Sequence, residues 1–127
     1  MLILDTPILD LKVIEFRPIA DHRGHFARTF CARDFEQHGL KATIVQANLS
    51  FSHCKGTIRG LHFQVPPVAE AKVIRCTRGA ILDIAIDLRP ESSTFLEHFA
   101  VELTEDNYKA LYIPERFANG YQTLTDA

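Results

Sequence analysis

The side chains best suited to chemistry lie within one otherwise apolar stretch, residues 58–64. His62 carries the side chain whose free pKa is nearest neutrality, which suits the work of a general base. Arg59 lies at an odd separation from it, and on a regular strand such a separation sends two side chains to opposite faces. Gly60 lies between them and could permit a β-bulge that turns one of the two. The alternative for this stretch alone is a core histidine beside a surface arginine.

Amide and guanidinium side chains form a second set of candidates. Gln46 and Asn48 flank Ala47 and share one strand face, and amides supply the donors and acceptors that a base or a sugar requires. Arg23 and Arg28 lie in a turn and in the strand that follows it, and arginine binds phosphate oxygens through paired hydrogen bonds. A solvated sheet edge and a solvated loop are the alternatives for these two groups.

Two further polar residues lie among apolar neighbours. Lys72 shares a predicted strand face with Ile74 and Cys76, so an inward orientation would partly desolvate its ammonium and let it stabilise an enolate oxygen. The alternative is a surface lysine whose aliphatic stem covers apolar surface. Asn119 lies in the segment 113–121, which proline and glycine bracket, and we interpret that segment as a loop whose amide could contact a ligand.

The composition limits the classes of function. The chain has 127 residues, of which 46% are hydrophobic and 24% charged, as in one soluble globular domain. A formal net charge of −2 gives no support to nucleic-acid or membrane binding. No apolar run approaches the ~20 residues that span a bilayer, and Asp5 and Asp10 argue against a signal peptide. Three cysteines without a C-x-x-C pair predict reduced thiols in the cytoplasm.

The motifs of metal and nucleotide cofactors are missing from the sequence. A mononuclear metal site in an all-β protein would want paired histidines with one spacer, and His62 has no histidine at position 60 or 64. Neither a Gly-x-Gly-x-x-Gly nor a Walker pattern occurs, which leaves dinucleotide binding and kinase activity without support. We therefore expect no metal site.

The elements that must position these residues are mainly strands, because apolar and polar residues alternate along most of the chain. A short helix is predicted over 33–38, with Gly39 ending it. The alternation predicts strands over residues 11–16, 25–30, 43–50, 57–64, 71–77, 80–88, 95–103 and 110–114. Many short strands separated by turns indicate a sandwich, a barrel or a jelly roll.

Taken together, these segments resemble the dTDP-4-dehydrorhamnose 3,5-epimerase family. The likeness runs from about residue 10 to the end of the chain, and the Arg-Gly-Leu-His-Phe-Gln run at 59–64, in company with the rest, is its most specific part. The matching stretches are residues 21–26, 46–50, 56–64, 66–67, 71–79, 83–89 and 112–120.

The resemblance implies a cupin jelly roll (a double-stranded β-helix) with one or two short helices, a homodimer, and neither a metal nor an organic cofactor. It implies epimerisation at C3 and C5 of dTDP-4-keto-6-deoxy-glucose to dTDP-4-keto-L-rhamnose. His62 matches the base that removes protons next to the C4 ketone, and Lys72 matches the residue that steadies the enolate oxygen. The substrate-binding residues that it implies are Arg23, Arg28, Gln46, Ala47, Asn48, Arg59 and Asn119.

Three departures from the family pattern modify these expectations. Arg28 stands where some members carry Glu, and Asn119 replaces a common His, so an amide that cannot titrate occupies this position. The family's proton-donating Tyr and the Asp that orients the catalytic His lie beyond Ala127, whereas Tyr121 matches an aromatic packing position. We therefore expect one domain over residues 1–127 that is short at its C-terminal end, binds the nucleotide sugar and turns it over poorly, since His62 would lack tautomer control.

Alternatives remain open for the function. The chain could epimerise a single centre of another dTDP-keto-sugar, or it could be a cupin that binds a sugar nucleotide without catalysis. A metal-dependent cupin is the third alternative, and the histidine spacing gives it the least support.

Overall fold

The structure, a computed structural model, describes residues 1–63 and 69–126. Strands dominate this part of the chain, and no helix in it has the length and hydrophobicity that crossing a bilayer requires. The strands are β1 (Leu2–Asp5), β2 (Lys12–Glu15), β3 (Ile19–Asp21), β4 (Gly24–Phe26), β5 (Ile58–His62), β6 (Lys72–Arg75), β7 (Ala80–Asp87), β8 (His98–Thr104), β9 (Lys109–Ile113) and β10 (Phe117–Thr123), and the helix is α1 (Ala32–Gln37). The all-β prediction is therefore confirmed.

Two antiparallel four-stranded sheets make up the body of the protein. One sheet has the order β1-β2-β9-β6 and the other has the order β5-β10-β7-β8, while β3 and β4 form a separate hairpin. Several strands that are adjacent in a sheet are distant in sequence, so the chain crosses repeatedly between the sheets, as in a jelly roll. This topology leaves β5 and β6 as edge strands.

The main core fills the space between the two sheets. Leu11, Leu103 and Leu111 are fully buried there, and Ile113 and Phe117 are almost fully buried. A second cluster forms where α1 packs on the outer face of the first sheet. In it Phe35, 1% exposed, meets the ring of Tyr112 edge to face.

The helix and the central strands agree with the sequence prediction. Helix α1 was expected over 33–38 and forms over Ala32–Gln37, and Gly39 follows it with the positive φ of +71° that suits a glycine at this position. Strand β7 was expected over 80–88 and forms over Ala80–Asp87. Its face with Asp83, Ala85 and Asp87 is buried.

Asp87 anchors a polar cluster at the end of β7. Its carboxylate accepts hydrogen bonds from Arg89, Ser92 and Thr94, and Arg89 also reaches Asp10 at 2.8 Å. Burial alone raises the pKa of Asp87, but these hydrogen bonds outweigh it and hold the pKa well below its usual range. The cluster therefore ties the loop before β2 to the second sheet.

Two sequence predictions are wrong. Residues 43–50 were expected to form a strand but have no strand partner among the described residues, and most of their side chains are exposed. Alternation is a local pattern, whereas a strand needs a neighbouring backbone to complete its ladder. The segment 113–121 was interpreted as a loop, yet Phe117–Thr123 forms β10 at the centre of the second sheet. Asn and Gly within it have low strand propensity, so the residue types of this segment do not indicate a strand.

Other differences concern element limits. The strand expected over 25–30 is limited to Gly24–Phe26, and β1 and β3 were not predicted. Residues 64, 66 and 67, which contribute to the predicted strand 57–64 and to the family resemblance, lie outside the described residues.

Candidate functional site

A bulge in strand β5 determines which side chains face the interior. His62 pairs with Asn119 and Arg59 pairs with Tyr121, so three steps on β5 oppose two steps on β10. The extra residue lies at Gly60–Leu61, as the sequence suggested for Gly60. Directly paired residues of an antiparallel ladder share a face, so the bulge brings Arg59 and His62 to one face despite their odd separation.

The same face continues inward across the second sheet. Asn119 pairs with Ala85 and Tyr121 pairs with Asp83, and both Ala85 and Asp83 are fully buried. The face that carries His62 is therefore the interior face. Because β5 is an edge strand, His62 and Arg59 stay exposed to solvent at the open side of the barrel.

Glycines let β5 and β10 approach closely at this point. A Cβ atom on Gly60 would lie 2.8 Å from both the Asn119 carbonyl oxygen and the Gly120 Cα atom. A Cβ atom on Gly120 would lie 2.7 Å from the carbonyl oxygen of Arg59. Real Cβ atoms do not come this close to backbone, so both positions require glycine to keep the two strands in place.

Lys72 enters the interior from the opposite sheet. It pairs with Ile113 on β9, and Ile113 belongs to the main core. Ile74, on the same face of β6, packs against that core, and Cys76 beyond the strand is part of it. The predicted face of Lys72, Ile74 and Cys76 therefore points inward, and the side chain of Lys72 is half-buried.

A buried carboxylate lies between the two sheets. Asp83 is 0% exposed, and its Oδ1 accepts a hydrogen bond from Asn119 Nδ2. The same Nδ2 atom donates to the Ile84 carbonyl oxygen at 3.0 Å. Asp83 Oδ2 has no hydrogen-bond partner among the described residues. Burial raises the pKa of Asp83 to about 7, while the Asn119 amide, the Ile84 backbone and the Lys72 ammonium act in the opposite direction.

Sequence reasoning missed Asp83 as a site residue. The usable signal was an aspartate in the middle of an apolar strand, on the same face as another buried aspartate. Charged residues are seldom fully buried without a partner, so such a residue merits a functional interpretation.

Arg59 and Tyr121 fix the segment that carries the predicted amides. Arg59 donates from Nη2 to the Phe51 carbonyl oxygen at 2.8 Å and from Nε to Ser52 Oγ at 3.1 Å. The Tyr121 hydroxyl lies 2.5 Å from Ser50 Oγ. The segment therefore crosses the open side of the barrel beside β5 and β10.

A cavity of about 390 Å³ lies between this segment and strand β6. Asn48, Ser50 and Tyr121 are on one side of it, and Ile74 and Arg75 are on the other. His62, Arg59 and Lys72 are not part of its lining. A second cavity of about 320 Å³, beneath the β3–β4 hairpin, contains none of the predicted site residues.

The remaining predicted residues are not joined to this group. Arg23 lies in the β3–β4 turn and forms an ion pair with Asp21 at 2.6 Å. Arg28 is exposed in the loop after the hairpin, and Ala47 is exposed beside the other candidates. Gln46 accepts a 3.2 Å hydrogen bond from Asn48 Nδ2 on the surface.

Two features bear on the chemistry of His62. Within residues 1–63 and 69–126, no carboxylate forms a hydrogen bond with its ring, so nothing in this part of the chain fixes its tautomer. The described residues also contain no group of three or more His, Cys, Asp or Glu side chains that could hold a metal ion. The arrangement combines an accessible imidazole with an inward ammonium, which suits proton removal next to a carbonyl group.

A family model described as dTDP-4-dehydrorhamnose 3,5-epimerase matches residues 5–127. The enzyme of that name from Sinorhizobium fredii is 41% identical over 117 residues, which cover 92% of this chain and 60% of the relative. The chain thus spans about three fifths of the length of that curated relative.

Solved structures extend the likeness to the fold. The dTDP-4-dehydrorhamnose 3,5-epimerase of Bacillus anthracis, with TDP and PPi bound, is 40% identical and superposes with a TM-score of 0.93 over 98% of this chain and 71% of the other. The dTDP-6-deoxy-D-glucose-3,5-epimerase of Legionella pneumophila, in complex with dTDP-4-keto-L-rhamnose, is 36% identical with a TM-score of 0.89 over 98% of this chain and 65% of the other. These similarities confirm the predicted cupin jelly roll.

Proposed function

Because the chain belongs to the dTDP-4-dehydrorhamnose 3,5-epimerase family, we propose that it epimerises C3 and C5 of dTDP-4-keto-6-deoxy-glucose to dTDP-4-keto-L-rhamnose. The observation that carries the proposal is the bulge of β5. It turns His62 to the interior face, where Lys72 also points from the opposite sheet. A base and a cation thus face one space from two sides.

In the proposed reaction, His62 removes a proton from a carbon next to the C4 ketone. The carbonyl acidifies that proton, and the electron pair moves onto the ketone oxygen to give an enolate. The Lys72 ammonium stabilises the oxygen, which is worth most in a partly desolvated site. Water delivers a proton to the opposite face of the carbon, which inverts the centre, and His62 releases the proton that it took to solvent. The same sequence at the second carbon completes the product.

The binding roles follow the chemistry of a nucleoside diphosphate sugar. Arg59 donates from Nε to Ser52 and from Nη2 to Phe51, and its other terminal nitrogen can donate to a diphosphate oxygen. Gln46 and Asn48 are exposed amides that suit a sugar or a base, with Ala47 between them. Asn119 can offer its side-chain oxygen to the sugar because its amide nitrogen is engaged with Asp83 and Ile84.

Arg23 and Arg28 keep their proposed role in phosphate binding. The Arg23 side chain is 79% exposed and forms an ion pair with Asp21, and an exposed pair of this kind has low stability, so a diphosphate can displace it. In this proposal, Arg23 and Arg28 reach the diphosphate only when the β3–β4 hairpin and the other substrate-binding segments come together.

Solvent deuterium exchange tests the reaction directly. The keto sugar is incubated with the protein in deuterated buffer, and incorporation at C3 and C5 is followed by NMR. We expect His62→Asn to lower the exchange rate by about 10²–10⁴-fold. His98→Asn is the matched control, since His98 is an exposed histidine on β8. Exchange that survives His62→Asn would end the proposal, and tight dTDP binding with no exchange in the wild type would select the non-catalytic alternative.

We also propose that the chain forms a homodimer. Val45 and Leu49 are each 86% exposed in the segment without a strand partner, and Ile19 and Phe26 on the hairpin are 73% and 71% exposed. Large apolar side chains with this exposure favour contact with another protein surface, and a second copy is the partner always available.

Light scattering coupled to gel filtration tests the dimer. We expect twice the monomer mass for the wild type and a monomer for Leu49→Glu. Leu96→Glu is the control, because Leu96 is 61% exposed in the turn before β8. A monomeric wild type, or a Leu49→Glu variant that remains dimeric, would contradict this interface.

The proposed location is the cytoplasm. Cys31, Cys54 and Cys76 are all free thiols, and free thiols are typical of a reducing compartment. Labelling of thiols in intact and lysed cells distinguishes this location from an exported one.

A further inference from the structure

We propose that Asp83 is a positioning residue for Lys72: its unpartnered Oδ2 receives the Lys72 ammonium and holds it, charged, against the developing enolate oxygen. The inference rests on the proposed epimerisation, because it assigns Asp83 a role in that reaction. It concerns a residue that sequence reasoning did not select.

Both side chains point into the space between the two sheets. Asp83 points inward from β7 because it shares the face of buried Ala85 and of Asn119. Lys72 points inward from β6 in the facing sheet because it pairs with Ile113 of the core. The Lys72 charge acts on the Asp83 carboxyl, yet the two form no ion pair within 4 Å. A rotamer change of the long lysine side chain can therefore complete the contact.

The two oxygens of Asp83 differ in a way that favours Lys72. Oδ1 is occupied by Asn119 Nδ2, which also binds the Ile84 carbonyl oxygen, so the amide nitrogen has both hydrogens engaged. Oδ2 is buried and has no hydrogen-bond partner within residues 1–63 and 69–126. Buried polar atoms are nearly always hydrogen-bonded, so we expect this carboxylate oxygen to accept a hydrogen bond from a nearby donor. Asn119 is neutral at any pH, so it cannot balance the charge of Asp83.

In the part of the chain that the structure describes, no other charged group competes for Oδ2. On β10, Tyr121 is the cross-strand partner of Asp83, and on β5 Arg59 is held by residues 51 and 52. On β8 the cross-strand partner of Asp83 is Val101, whereas His98 and Glu102 pair with residues of the outward face.

Cys76, His62 and Asp87 are other titratable groups on the inward faces of the described residues, and the Cys76 thiol donates to the Arg78 carbonyl oxygen at 3.2 Å. His62 lies on the exposed edge strand, and Asp87 is engaged by Arg89. Lys72 is therefore the one cation of the described residues that acts on Asp83.

The pairing serves the reaction by keeping the lysine protonated. A half-buried ammonium loses its proton more readily when no anion is near, and a neutral amine stabilises an enolate less well. An Asp83 carboxylate behind Lys72 raises the affinity of the amine for its proton. The ammonium then faces the substrate oxygen with its charge intact.

The test is the titration of Lys72 followed by NMR of protein labelled at lysine Cε, with the signal assigned by Lys72→Arg. We expect the Lys72 signal of Asp83→Asn to titrate at lower pH than that of the wild type. Glu102→Gln is the matched control, since Glu102 lies on the outward face of the same sheet and should leave the titration unchanged. Equal Lys72 titrations in the two variants would overturn the proposal.

The reciprocal measurement decides the question if Asp83→Asn fails to fold. Linkage requires that Lys72→Met raise the pKa of Asp83, read from its carboxyl carbon, by the amount that the lysine pKa falls. An Asp83 titration that ignores Lys72→Met overturns the proposal.

Both titrations are made without substrate, so they stand apart from deuterium exchange, which tests the reaction itself. If exchange occurs, Asp83→Asn should lower kcat while KM stays close to the wild-type value, and the alkaline limb of the pH profile should move to lower pH. A profile that keeps its alkaline limb would contradict the positioning role.

Discussion

The close approach of β5 and β10 makes Gly60→Ala a demanding test of how the site is positioned. Gly60 has a φ of +101°, and its new Cβ would meet two backbone atoms at 2.8 Å. A side chain in such a conformation costs about 1–3 kcal/mol. Displacing packed backbone costs about 1–3 kcal/mol more. We therefore expect the free energy of unfolding to fall by about 2–6 kcal/mol.

Urea unfolding followed by circular dichroism measures this loss, and Gly56→Ala is the matched control. Gly56 also has a positive φ, +85°, but a Cβ there has open space around it. The control should lose the conformational part only, about 1–3 kcal/mol. Equal losses in the two variants would show that the strands are not in tight contact at Gly60. That result would refute the role of this contact in shaping the bulge.

Three further predictions concern the core and the buried carboxylates. Leu111→Ala, at a position 0% exposed in the main core, should lose about 2–5 kcal/mol of unfolding free energy in urea. Burial raises the folded pKa of Asp83 from 3.8 to about 7, so wild type should lose stability relative to Asp83→Asn as pH rises from 4 to 7, by on the order of 4 kcal/mol. A flat difference across that range would refute the shift. The pKa of Asp87 is shifted in the opposite direction, because its hydrogen bonds lower it below 3.8 despite burial. Its contribution to the free energy of unfolding is therefore present above pH 3.8 and is lost as the pH falls below that value. The free energy of unfolding of Asp87→Asn should fall less steeply in acid than that of the wild type.

The elements that sequence predicted well are those in which local and tertiary forces agree. Strand β7 alternates strictly and has neighbours on both sides, and α1 has a glycine where the chain must take a positive φ. Residues 43–50 alternate equally well but lack a partner strand within the described chain. A pattern of side chains cannot reveal whether a second backbone will be present.

The candidate site was predicted in part for a similar reason. Residue types and spacing offered a bulge at Gly60 and an inward Lys72 only beside the alternatives of a regular strand and a surface lysine, and the structure has the bulge and the inward lysine. The strand that carries Asn119 was hidden because its glycine reads as a turn, although it serves here as a point of close backbone contact. Asp83 was missed because its significance arises from residues of two other strands: Asn119, which donates a hydrogen bond to it, and Lys72, whose charge lowers the pKa of its carboxyl.

At Gly60 and Gly120, contact between main-chain atoms alone fixes the position of β5 relative to β10. The separation of His62 from Asn119 is governed there by atoms common to all amino acids, and no packed side chain has to keep a particular shape to preserve it. Core residues can then be exchanged over evolutionary time with little displacement of the imidazole.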